Sequence, residues 1–207
     1  MTATDWDAYY RKPAAATSIT RKISSAKISQ CLSPYLKEEK RSICELGGAN
    51  SCFANDFLKK TNVGSYHVID LNQLGVGLLK ERFLNDSRVS AKVANVLDLS
   101  ENPTFDIVYS VGLIEHFDVA GTAACIEAHF RMCKPDGMVL ITFPTPTPPY
   151  RLIRATAKLA RMWRFHDERP LGFEEVIAVG DKFGFLKHRS INWAIGLTQG
   201  YVLYQKR

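Results

Sequence analysis

The chain is expected to form an α/β fold on a mostly parallel sheet. Three observations point there. Short apolar runs suited to buried strands alternate with helical stretches, a small-residue turn closes the first such run, and two apolar stretches flank Gly196 near the C-terminus. Alternating strands and helices imply right-handed crossovers, which place successive strands parallel.

The elements follow in order. Asp5 to Lys12 and Thr17 to Leu32 read as helices ahead of the first strand, with Pro34 just beyond the second helix. Arg41 to Leu46 reads as a buried strand closed by Gly47-Gly48, and Ser51 to Lys60 as a helix. Ser65 to Asp70 is a second strand, Gln73 to Leu84 a helix, Arg88 to Val93 a third strand and Phe105 to Ser110 a fourth. Val119 to Cys133 is a helix and Gly137 to Phe143 a fifth strand. Pro144 to Pro149 is expected to be a rigid loop, since prolines interrupt helices and central strands. Helices are expected over Arg151 to Arg164 and Phe173 to Phe183, and a β-hairpin over Phe185 to Lys206. The whole is one domain of 207 residues.

Composition narrows the function classes. An apolar fraction of 46 % is that of a globular protein, and no apolar run approaches the ~20 residues that span a bilayer. The start, Met1 to Asp7, lacks the basic and apolar segments of a signal peptide, so a cytoplasmic protein is expected. Cys31, Cys44, Cys52, Cys125 and Cys133 lie among apolar residues without a Cys-x-x-Cys pair, which reads as reduced, packed thiols, and no metal site is expected. Residues 44–149 hold 8 Lys+Arg against 12 Asp+Glu, a net of −4, whereas residues 1–43 carry +4 and residues 150–207 carry +6.

The chemistry is expected in that acidic centre. Glu45-Leu46-Gly47-Gly48-Ala49-Asn50-Ser51 joins a strand to a helix, a turn that lets backbone approach a ligand closely. Such turns bind ligands beyond the carboxyl ends of a parallel sheet. Asp70 ends the second strand, where a carboxylate can accept from both ribose hydroxyls of a nucleoside. Asn95-Val96-Leu97-Asp98 follows the third strand, and Ser110-Val111-Gly112-Leu113-Ile114-Glu115-His116 leaves the fourth.

Together with Lys134-Pro135-Asp136-Gly137, these elements in this order resemble the class I S-adenosylmethionine-dependent methyltransferases, in their small-molecule, lipid and glycan-modifying branch. The resemblance covers about residues 40–145. It implies a Rossmann-like three-layer sandwich with a seven-stranded, mostly parallel sheet and a C-terminal antiparallel hairpin. Residues 1–40 would be a helical lid, 41–145 the cofactor-binding core and 146–207 the substrate-side helices and hairpin. S-adenosylmethionine would be the cofactor and S-adenosylhomocysteine its product. Glu45, Gly47, Gly48 and Ala49 would surround the methionine part. Asp70 would hold the ribose, and Leu71 would flank the adenine. Asn95, Val96 and Asp98 would read the adenine edge, and Ser110 and Val111 would line the sulfonium side. Two positions depart from the family pattern: later glycines of the first motif are Ala49 and Ser51, and the acid after the third strand is Asn95.

Methyl transfer needs an aligned acceptor, and an oxygen acceptor usually needs a base. His116 is the candidate base, and Glu115 is a candidate to orient His116 or the substrate or to bond loop backbone. A packing role within the loop is the other reading of His116, and His67, His129 and His188, in strand or helix interiors, are expected to be packed. Tyr9 and Tyr10 are candidates to reach the cofactor or acceptor from the lid. Arg151, Arg154, Lys158 and Arg161 recur at helical spacing, with Leu152, Leu159, Ala160 and Trp163 towards the other side. One reading of that stripe is a solvated face over a packed apolar one; the others are an anionic small-molecule, glycan or lipid-linked acceptor and peripheral contact of the 150–165 helix at the inner membrane face. Phe143-Pro144-Thr145-Pro146, followed by this helix and by Asp167-Glu168-Arg169-Pro170-Leu171, resembles methyltransferases of cell-surface glycan and lipid biosynthesis, which implies a role in cell-surface polysaccharide synthesis. RNA is a less favoured acceptor, and a non-catalytic cofactor-binding protein is the alternative from another class.

Overall fold

The computed structural model describes residues 4–11, 17–36, 40–99 and 104–207. Helices α1 (Trp6–Arg11) and α2 (Thr17–Leu32) precede strand β1 (Arg41–Leu46). Then come α3 (Ala54–Lys60), β2 (Val63–Asp70), α4 (Gln73–Arg82), β3 (Val89–Val93) and β4 (Phe105–Val111). The chain continues through α5 (Val119–Met132), β5 (Cys133–Pro144), α6 (Pro148–Leu159), α7 (Phe173–Gly180), β6 (Gly184–Asn192) and β7 (Gln199–Lys206). Lys12, the expected end of α1, lies outside the described residues.

The seven strands form one sheet in the order β3-β2-β1-β4-β5-β7-β6. β1 to β5 pair in parallel, and β7 runs antiparallel between β5 and β6, which is the expected hairpin. Consecutive strand residues feed opposite faces. Ile43, Val68, Ile107 and Leu140 pack with Ile28 and Leu32 of α2 and Phe57 of α3. Their neighbours Cys44, Ile69, Val108 and Ile141 pack with Cys125, Ile126 and Phe130 of α5 and Val176 of α7. Burial on both faces is why these strands read as continuous apolar runs. The sheet order reverses direction between β1 and β4, whose ends at Leu46 and Ser110 are paired. That reversal opens a crevice beyond the carboxyl ends of the strands.

Three local expectations change. α6 begins at Pro148 rather than after the prolines, because Thr147 caps it through Tyr150 N–H and the first turn leaves its N–H groups unbonded anyway. It also ends at Leu159, and Arg161 has a φ of 55°. His188, expected to be packed, is exposed on β6, which is the sheet edge. His129, by contrast, is fully buried and bonds Cys125 O through Nδ1 at 2.7 Å. All five cysteines are free thiols, four of them buried and Cys52 half-buried.

Candidate active site

A cavity of about 610 Å³ lies beyond the ends of β1, β2, β4 and β5. Its floor is the β1–α3 turn. Gly47 takes a φ of 71°, and its N–H donates to Ile69 O at 2.8 Å, tying the turn to β2. A Cβ on Gly48 would fall 2.6 Å from Glu45 Cδ, so a side chain there would collide with the carboxyl beneath it. Ala49 is buried with a φ of 34°, and Gly75 of α4 packs against its methyl group closely enough to admit no Cβ.

Glu45 is buried and accepts a hydrogen bond from Tyr66 Oη at 2.6 Å. Tyr66 in turn bonds Tyr109, and Ser51 lies within reach of the same hydroxyl. Burial pushes the Glu45 carboxyl up, and the Ser51, Tyr66 and Tyr109 hydroxyls oppose that. Asp70 stands at the carboxyl end of β2 and accepts from Asn72 N–H at 2.7 Å. Burial raises its pKa as well, against the N–H groups of Asn72, Ala49 and Leu71. Leu71 is 70 % exposed although it lines the cavity, an uncovered apolar platform beside Asp70. Asn95 caps a single 3-10 turn through Leu97 N–H, and its amide donates to Asp98 Oδ2 at 2.9 Å.

The other end of the cavity is aromatic and acidic. Glu115 and His116 sit on a 3-10 turn after β4. His116 Nδ1 is 3.0 Å from Asp167 Oδ1, which leaves Nε2 for another partner. Trp6 packs edge-on against the imidazole at 5.0 Å, and Phe165 lies at 6.2 Å. Burial lowers the His116 pKa more than Asp167 raises it, so the ring is neutral at neutral pH. Burial pushes the Asp167 carboxyl up, but hydrogen bonds from Thr4 and His116 bring it below its ordinary value. Glu115 is held well above the usual carboxylate range, first by burial and then by the Glu168 and Asp167 carboxyls. Its Oε2 has no hydrogen-bond partner among the described residues.

Helix α1 closes one side. Thr4 donates to Asp167, and Asn72 Nδ2 donates to Asp7 Oδ1 at 2.7 Å. Tyr10 is pushed up by burial and by the Asp70 carboxylate, which places it beside the β2 end of the cavity. Tyr9 accepts from Arg21 at 2.9 Å.

Of the residues expected at the site, Tyr9, Tyr10, Glu45, Gly47, Gly48, Asp70, Leu71, Asn95, Val96, Val111, Glu115 and His116 line this one cavity. Ala49, Asp98 and Ser110 do not. Ala49 is buried under the turn, Asp98 is exposed and braces Asn95, and Ser110 points into the protein with its hydroxyl unpartnered among the described residues. Arg151 and Arg154 do not line it either. The turn of α6 sends Arg151 outward and Arg154 behind the wall, where its guanidinium bonds Glu168 O at 2.5 Å and covers the Trp163 ring. Arg21 is the one Lys or Arg among the described lining residues. Glu115 does not orient His116; Asp167 does, and it was missed, along with the wall of Trp163, Phe165 and Glu168. A histidine that needs a carboxylate is visible in a sequence, but not that its partner lies 51 residues away.

A family model described as a methyltransferase domain matches residues 43–137. No curated protein sequence matches the chain. Among solved structures, the chain is similar to the N-methyltransferase NodS from Bradyrhizobium japonicum in complex with S-adenosylhomocysteine, at 16 % identity and a TM-score of 0.67, over 90 % of this chain and 86 % of that one. It is similar to the magnesium protoporphyrin IX methyltransferase of Synechocystis with bound S-adenosylhomocysteine, at 10 % identity and a TM-score of 0.77, over 98 % and 94 %. It is also similar to the 1,6-didemethyltoxoflavin-N1-methyltransferase of Burkholderia thailandensis, at 15 % identity and a TM-score of 0.72, over 98 % and 85 %.

Proposed function

We propose that the chain is a class I S-adenosylmethionine-dependent methyltransferase, a reading supported by the methyltransferase-domain match over residues 43–137, and that it methylates a small acceptor bound at the His116 end of the cavity. One observation carries this reading. A single cavity joins the glycine turn, Asp70 and Leu71 at one end to the His116–Asp167 pair at the other.

The residues fit the cofactor. The bare Gly48 backbone and the Glu45 carboxyl would receive its amino-acid part, Asp70 its ribose hydroxyls, and Leu71 with Val96 its adenine face. Asn95 Oδ1 already accepts from Leu97 N–H, so its second lone pair is what remains for the adenine amine. S-adenosylmethionine supplies an electrophilic methyl group, so the protein's own task is alignment and proton removal. The rings of Trp6, Phe165 and Trp163 wall off water and hold the acceptor. His116 takes the acceptor's proton at Nε2, and Asp167 steadies the resulting imidazolium through Nδ1. A hydroxyl acceptor makes full use of such a base, which favours O-methylation.

The basic charge lies outside this acidic cavity. It suits an acceptor whose reacting group enters the ring-lined end while an anionic part, such as the phosphate of a glycan or lipid-linked intermediate, stays at the surface. The test is methyl transfer from labelled cofactor into fractionated cell extract, followed by turnover on the labelled acceptor. His116→Ala is expected to lower turnover about 10²-fold while binding S-adenosylhomocysteine as the unaltered protein does. Full turnover in that variant removes His116 from the mechanism.

A further inference from the structure

Helix α6 is amphipathic, yet the apolar side is not the side that is covered. Tyr150 is buried and Arg154 and Ala157 are half-buried, and these face the protein. Leu152 is 66 % exposed, Leu159 is 88 % exposed, and Met162 just beyond the helix is 75 % exposed. Leu152 and Leu159 are seven residues apart and lie on one stripe. Ile153, also exposed, packs against the β6–β7 loop, its Cδ1 lying 2.4 Å from where a Cβ on Gly196 would stand. That loop exposes Trp193 at 61 %. The helix and the loop therefore sit side by side, and each presents large apolar side chains to solvent.

Charge says what covers them. From Pro148 to His166 there are five Lys+Arg, at positions 151, 154, 158, 161 and 164, and no Asp or Glu. Arg154 is used internally, but Arg151, Lys158 and Arg161 are exposed along the border of the apolar stripe. A second copy of the chain docking here by a two-fold axis would bring these cations against their own counterparts. An anionic lipid headgroup layer meets them with opposite charge and takes up the leucines, methionine and tryptophan at the acyl boundary. The segments that carry the patch also wall the cavity, through Tyr150, Ile195 and Leu197.

We propose that α6 and the β6–β7 loop dock the protein on an anionic bilayer surface, with the acceptor end of the cavity beside that surface. The attachment is peripheral, since no helix among the described residues is long and apolar enough to cross a membrane.

The proposal is tested without any acceptor, so its outcome is separate from that of the methyl-transfer reading. The full chain is sedimented with vesicles of phosphatidylcholine alone and of phosphatidylcholine mixed with phosphatidylglycerol. Binding is expected on the mixed vesicles and not on the neutral ones. Each basic residue near such a surface is worth about fivefold in partitioning. Lys158→Glu/Arg161→Glu is therefore expected to weaken binding at least ~25-fold, and rising salt to weaken it in the unaltered protein. Leu152→Glu/Leu159→Glu is expected to abolish it. Calorimetry with S-adenosylhomocysteine, unchanged in both variants, shows that they are folded. No binding to mixed vesicles, equal binding to neutral ones, or a dimer that Leu152→Glu/Leu159→Glu dissolves overturns the proposal.

Discussion

Asp167→Asn is the most direct test of the His116 arrangement. The carboxylate touches two things, the imidazole Nδ1 at 3.0 Å and Thr4 of the N-terminal segment. The amide keeps its shape but not its charge. A hydrogen bond to a charged group is worth about 1.5–3 kcal/mol. The Asp167 side chain is 25 % exposed and His116 11 %, so solvent screens part of that and the lower half of the range applies. About 1.5–2 kcal/mol corresponds to roughly a 10- to 30-fold loss in kcat. The pH profile gives the second readout. A base works deprotonated, so activity rises with pH through the His116 pKa, and burial already sets that limb below the ordinary histidine value of ~6.5. Asp167 is what holds it up. Its removal is expected to move the limb to still lower pH while lowering the plateau. The assay is kcat against pH on the identified acceptor, with S-adenosylhomocysteine affinity measured in parallel. An unchanged plateau and limb, or a loss that appears only in cofactor affinity, refutes the pairing.

Three other outcomes follow from neighbouring contacts. Trp6→Ala strips the ring that packs on His116 at 5.0 Å. It admits water, so the limb is expected to shift upward, opposite to Asp167→Asn, with kcat reduced about tenfold; a fixed limb means α1 does not cover the imidazole. Asp70→Ala is expected to weaken calorimetric binding of S-adenosylhomocysteine by at least ~1.5 kcal/mol. In the unaltered protein that affinity is expected to fall on acidification, starting above the ordinary carboxylate range because burial raises the Asp70 and Glu45 pKa values, and the variant is expected to keep only the Glu45 share of that fall. Tyr66→Phe removes the hydroxyl that donates to Glu45 at 2.6 Å. Leaving a buried carboxyl short of a donor is expected to destabilise the fold by about 1–3 kcal/mol, read as a lower midpoint in thermal or urea unfolding; an unchanged midpoint means that the bond contributes nothing.

Much of this molecule is written in short-range features. The strands announce themselves as apolar runs of four to six residues because Ile43-Cys44, Val68-Ile69 and Ile107-Val108 must fill both faces of the sheet. The Gly47-Gly48 turn and strand-end Asp70 are legible for a similar reason, since the tight turn over Glu45 and the acid bonded to Asn72 N–H are local features of the chain. The burial of Ser110 was not legible, because its place on β4 sends its side chain inward, and alternation alone does not say which face meets the cavity.

What the sequence by itself determined, then, was the alternation of strands and helices, the hairpin after Phe183 and the glycine turn and strand-end acid at the end of the sheet where the cavity lies. Those follow from periodicity and from residues whose conformational needs are their own. Tertiary structure decided the rest. It brought Asp167 to His116 and Thr4 to Asp167, pairings that depend on where distant segments dock. It also chose the face of α6. Spacing showed two faces, one basic and one apolar, and the apolar one was expected to be covered. The structure covers instead the stripe of Tyr150, Arg154 and Ala157, because Tyr150 and Arg154 find a carboxylate and a ring at Glu168 and Trp163. Burial is a property of the partner as much as of the residue, and the partner lies elsewhere in the chain.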